Sequence, residues 1–232
     1  REIARALAPH HDVYMVDGGR PVPGADAGGA TAIELPRIIR EADGLAPLAG
    51  EPDIAAILAA RRRMLCDAIT RLRPDVLLVE HYPFSKWELQ GEIEAAISTA
   101  RSANVRALVL CSVRDIVRQT RHESCAPAAY VLRVLGSLQA GFDALLIHGD
   151  PALTRLEDHF PGAASIRIPV EYTGIVSEVP RHGQHVARAP DHLTGGSPFV
   201  LASAGGGPDA QGLLVQCVHA WRLLVAQDAL PG

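Results

Sequence analysis

Three short apolar runs, each leading into a helix-length segment, constrain this chain more than anything else in it. They are Asp75-Val-Leu-Leu-Val79, Val105-Arg-Ala-Leu-Val-Leu-Cys111 and Asp143-Ala-Leu-Leu-Ile147. A short, continuous apolar run bounded by breakers reads as a strand covered on both faces. Between the runs, Ile93 and Ile97 mark one helix, and Tyr130 to Leu138 mark another. Strand and helix alternating at this spacing predict a parallel, doubly wound sheet of the α/β class, because parallel neighbours need a crossover. A strand over Asp12–Asp17 is expected in the same sheet, with a short one near Ala32–Leu35 and a last piece over Glu171–Val176. A long helix is expected from Pro52 to about Leu72 on Ile54, Ile57, Leu58, Met64, Leu65 and Ile69. Arg61-Arg62-Arg63 interrupts it. Three adjacent positions spread around a helix, so the run is read as solvated surface rather than a phosphate site.

Ligands of open parallel sheets bind beyond the carboxyl ends of the strands. Glu80, His81, Arg114, Asp115, His148 and Asp150 all fall at expected strand exits. His81 opens an aromatic loop with Tyr82, Phe84 and Trp87, which suits a sugar or lipid-linked acceptor and equally suits a packed loop. Asp115 can be a base or simply pair with Arg114. Asp150 is read first as the cap of a helix opening at Pro151 and continuing through Leu156.

Later in the chain, Phe199–Ala202 reads as a strand and Ser203-Ala-Gly-Gly-Gly207 as its exit loop. A helix follows, with Leu214, Val218, Trp221 and Val225 at helical spacing. Strand, glycine loop and helix together present backbone N–H groups and a helix N-terminus to an anion. The loop lacks the Lys-Ser/Thr of a P-loop and the G-x-G-x-x-G spacing, so an ordinary turn competes with a phosphate site. Its position after the Pro/Gly/His-rich segment 177–197, read as a linker, favours the phosphate site. His182, His185 and His192 in that linker have no Cys or carboxylate cluster at ligand spacing, so no metal is expected there.

Composition narrows the classes. A chain of 232 residues, 48% hydrophobic, can bury a substantial core. A net charge of −4 argues against nucleic acid or an anionic membrane as the main partner. Cys66, Cys111, Cys125 and Cys217 form no C-x-x-C pair and read as buried thiols of a reducing compartment. No run approaches a membrane span and no signal peptide opens the chain, so a cytoplasmic place is expected, at most peripheral to the inner membrane.

Six segments in order carry a resemblance: Glu2–Leu7 with Gly18-Gly19, Asp75–Phe84, Val113–Ile116, His148-Gly-Asp-Pro151, Tyr172–Val176 and Ser203–Gly207. From residue 1 to about 214 the chain resembles predicted glycosyltransferases related to the enzyme that adds N-acetylglucosamine to the lipid-linked peptidoglycan precursor. The resemblance implies a GT-B fold, with two Rossmann-like domains facing each other across a cleft. Residues 1–176 would be the acceptor-side domain, 177–197 the linker, and 198–232 the start of the nucleotide-sugar domain. It implies a hexosyltransferase that moves a sugar from a nucleotide-diphosphate donor to an acceptor hydroxyl, lipid-linked in some relatives, with no metal or cofactor. Ser203, Gly205, Gly206 and Gly207 would approach the donor diphosphate. His81 and Asp115 are the catalytic candidates, with Tyr82, Arg114, His148 and Asp150 on the acceptor side of the cleft. The family's first strand and Gly-x-Gly-His loop would precede Arg1, and the rest of its donor domain would follow Gly232. These 232 residues by themselves are therefore expected to be inactive. A nucleotide-sugar epimerase of the same fold and a non-catalytic Rossmann-like binding module are the competing readings.

Overall fold

The computed structural model describes residues 1–21, 26–41, 44–48, 53–114, 117, 126–177, 200–204 and 210–227. The chain divides into two compact units, Arg1–Glu178 and Val179–Gly232.

The first unit opens with helix α1 (Glu2–Leu7) and strand β1 (Tyr14–Asp17). The turn before β2 (Thr31–Glu34) is closed by Gly28, whose φ of +63° is left-handed. An added Cβ there would lie 2.8 Å from the Arg1 carbonyl oxygen, so only glycine lets α1 sit this close. A hairpin of β3 (Ile38–Glu41) and β4 (Gly44–Pro47), which sequence patterning missed, precedes helix α2 (Ile54–Leu72). The Asp53 carboxylate caps α2 by accepting from the Ala55 N–H at 3.1 Å. Then come β5 (Val76–Glu80), helix α3 (Gln90–Ala103), β6 (Leu108–Arg114), helix α4 (Pro127–Gly141), β7 (Ala144–His148) and β8 (Val170–Tyr172). The last four strands form one parallel sheet in the order β5-β6-β7-β8.

Partners in register on parallel strands point to the same face. On one face Val109, Cys111, Val113, Leu145 and Ile147 are buried against Ile97 of α3 and Tyr130, Val134 and Leu138 of α4. A smaller cluster of Leu35, Leu65, Ile69, Ala96 and Ala100 lies between α2 and α3, with Ile33 of β2 and Leu77 of β5 packed on it.

Four expectations are corrected. First, β1 does not join the main sheet: it pairs in parallel with β2 alone, Tyr14 opposite Thr31. Packing of Ile33 and Leu77 on a shared helix layer, not strand pairing, joins the two sheets. Second, the β5 run is covered on one face only, and Val76, Leu78 and Leu108 stay 50%, 39% and 51% exposed on the other. Third, β6 starts three residues later than expected. Asn104 ends α3 and turns the chain, its side-chain oxygen accepting from the Arg106 N–H, so Val105 lies in the turn. Ser112, Val113 and Arg114 are consequently strand residues rather than a loop. Fourth, Arg61 is buried. Its guanidinium pairs in a bidentate manner with Glu92 of α3, both contacts 2.8 Å, and also donates to the Gly18 and Pro36 carbonyls.

In the second unit the described residues are 200–204, without regular structure, and helix α5 (Ala210–Ala226). The linker at 178–197 lies outside the described residues.

Candidate functional site at the carboxyl edge of the parallel sheet

The ends of β5, β6 and β7 bring together the polar groups of the first unit. Glu80 stands in register with Ser112, and Arg114 with His148. Ser112 and Arg114 are two residues apart on β6, so all four side chains rise from the same face, the one that leaves Leu78 exposed.

His148 is the buried centre of a hydrogen-bonded chain. Its Nε2 lies 2.8 Å from the Ser112 hydroxyl, and its Nδ1 lies 2.6 Å from the Thr173 hydroxyl. The Thr173 hydroxyl reaches the Ile147 carbonyl at 3.4 Å and can donate to it. One arrangement satisfies every group: Nδ1 carries the proton and donates to Thr173, while Nε2 accepts from the Ser112 O–H. Loss of solvation lowers the pKa of His148 and the Arg114 charge lowers it further, with Glu80 opposing. The ring is therefore neutral at pH 7, with Nε2 accepting a hydrogen bond from the Ser112 hydroxyl.

In front of this chain lies an ionic group. Glu80 pairs with Arg114 Nε at 3.1 Å and with Lys86 Nζ at 3.3 Å. Partial burial alone would raise the Glu80 carboxyl, but Lys86, Arg114 and His81 together hold it below its ordinary range. Arg114 Nε also reaches His81 Nε2 at 3.4 Å.

His81 leaves β5 with its N–H still bonded to the Ser112 carbonyl at 2.7 Å, then takes a left-handed φ of 65°. This turns the following residues into the core. Tyr82, expected to line the acceptor cleft, is 1% exposed and donates its hydroxyl to Glu94 of α3 at 2.8 Å. Burial and that bond push its phenol up to about 12. Phe84 is equally buried and edge-on to Phe160, and the Trp87 ring is covered by the Arg133 guanidinium at 3.6 Å. The aromatic loop is thus packing, not a sugar platform. Asp150 accepts from the Ala152 N–H at 2.8 Å and caps a turn; the expected helix through Leu156 is only a short 3-10 turn over Leu156–Asp158.

The structure therefore groups His81, Arg114 and His148 with Glu80, and adds Ser112, Lys86 and Thr173, which sequence patterning did not single out as site residues. Ser112 was hidden by the misplaced end of β6. Thr173 next to Gly174 looked like the tail of a strand. Asp115, Gly205, Gly206 and Gly207 lie outside the described residues; Ser203 is described and exposed. Among the described residues no group of three or more His, Cys, Asp or Glu side chains could hold a metal ion, and no helix is long and apolar enough to cross a membrane.

Compared with known proteins, the chain matches no family model and no curated sequence.

Proposed function

We propose that the protein belongs to a glycosyltransferase that moves a hexosyl group from a nucleotide-diphosphate sugar to an acceptor hydroxyl, and that the first unit holds the acceptor. The observation that supports this is the cluster of Glu80, His81, Arg114 and His148 at the carboxyl edge of a parallel sheet, the edge where ligands of such sheets bind. Glycosyl transfer asks three things of a protein: placement of the acceptor hydroxyl, removal of its proton, and stabilisation of the departing diphosphate. An imidazole beside a guanidinium donor, as His81 is beside Arg114, suits the first two. His81 is the catalytic candidate, with Asp115 the alternative. By the resemblance, the third task falls to backbone N–H groups of Ser203–Gly207.

The test is release of nucleoside diphosphate by the protein in its full reading frame, across a panel of nucleotide sugars and hydroxyl acceptors. Release that depends on the acceptor and falls in His81→Ala is expected. No release above a no-protein blank, with no nucleotide binding by calorimetry, would sink the proposal.

A further inference from the structure

The ionic group at the carboxyl edge is unbalanced. Arg114 and Lys86 converge on the single carboxylate of Glu80, leaving one positive charge over among them. Arg114 is held through its inner nitrogen: Nε meets Glu80 at 3.1 Å and His81 at 3.4 Å. Among the described residues its two terminal nitrogens make no hydrogen bond, and its side chain is 64% exposed. A guanidinium fixed through Nε is a planar fork whose direction is set before any ligand arrives. That fork matches the two oxygens of one oxyanion group, and Lys86 supplies a second cation beside it.

We propose that Arg114 and Lys86 form a binding site for a carboxylate carried by the ligand of this edge, as in an acidic sugar. Among the described residues the charge left over is a single one. A carboxylate cancels it, whereas a phosphate dianion would overshoot beside the Glu80 carboxylate. His148 stands in register with Arg114 on the next strand, so the Ser112–His148 pair and the Arg114 side chain rise from the same face of the sheet. The inference rests on reading this edge as the acceptor end and narrows the acceptor to an anionic class.

The experiment is calorimetric and NMR titration of the whole chain, without donor, using glucuronate, glucose 6-phosphate and the neutral methyl glucoside. Glucuronate is expected to bind at least about ten-fold more tightly than methyl glucoside, the scale of one charge-assisted contact, and to weaken with added salt. Arg114→Gln should abolish that preference. Arg114→Lys, which keeps the charge and loses the fork, should fall between the two, and Lys86→Gln should weaken glucuronate several-fold, on the order of a partly exposed charge contact. Thermal melting controls for folding, and Lys86→Gln gives an independent reading if an Arg114 variant fails to fold. Equal binding of glucuronate and methyl glucoside, or unchanged glucuronate binding in a folded Arg114→Gln protein, overturns the proposal. Tighter binding of glucose 6-phosphate than glucuronate overturns the carboxylate assignment. Because no turnover is measured, failure here leaves the transferase proposal standing. Carboxylate binding without nucleoside diphosphate release would instead retire the transferase and keep the site.

Discussion

Arg61 and His148 are two buried polar residues with opposite uses. Arg61 is structural: one guanidinium ties α2 to Glu92 of α3 and to the carbonyls of Gly18 and Pro36. Removing one partner of such a pair leaves the other charge buried, at a cost of about 3–5 kcal/mol. Arg61→Met is therefore expected to be destabilised by that amount in urea denaturation, and Arg61→Met with Glu92→Leu to recover most of it. Additive losses in the double variant would mean that the pair is not coupled. His148 carries a pH dependence whose sign follows from its lowered pKa. Below its ordinary 6.5 the unfolded chain takes up a proton that the native ring still refuses, so stability falls as pH drops from there toward the native value. Glu80, held below its ordinary 4.5, adds a loss of the same sign at lower pH: its stabilisation is complete above that value and lost as pH falls through the native one. The descent should thus come in two stages, and His148→Gln should remove the upper one. A single acid stage in wild type, with no His148 titration below 6.5 by NMR, would contradict this.

At the scale of elements, stability is concentrated where α4 closes the sheet. Leu138 and Val134 are fully buried there, whereas Leu132 on the same helix is 71% exposed. Leu138→Ala should cost about 2–5 kcal/mol through lost burial and the cavity left behind. Leu132→Ala should stay within about 0.5 kcal/mol, and similar losses for both would mean that α4 presents a different face. These helices were legible in the sequence because period and length agree: Ile93 and Ile97 announced α3, and Tyr130 to Leu138 announced α4. The strand runs were legible as runs but not in extent. Val105-Arg-Ala107 continues the apolar pattern of β6, and only the Asn104 turn shows that pairing begins at Leu108. What hid half of the site was the same local ambiguity. Positions such as Ser112, Lys86 and Thr173 acquire meaning from neighbours on other strands, and a neighbour 36 residues away in sequence is invisible to spacing. Arg61 failed for a related reason: adjacency within Arg61-Arg62-Arg63 said nothing about which of the three faces Glu92.

For the molecule as a whole, both apolar clusters are assembled from residues between Ile33 and Tyr172, so the first unit carries its own core. Helix α5 of the second unit is apolar around most of its surface, with Leu213, Leu214, Val218 and Trp221 at least 40% exposed, and it contributes to neither cluster. A protein ending at Glu178 should therefore keep a cooperative melt within a few degrees of the whole chain, about what 1 kcal/mol represents at this size. The same cut separates the two proposed ligands. The Arg114 and Lys86 site lies wholly in the first unit and should retain glucuronate binding, while any affinity for nucleoside diphosphate should vanish with Ser203–Gly207. Heat-capacity melting together with the two titrations reads all three quantities on one sample. Nucleoside diphosphate bound equally by the shortened protein would move the donor site to the carboxyl edge of the parallel sheet, and the division of labour between the units would have to be abandoned.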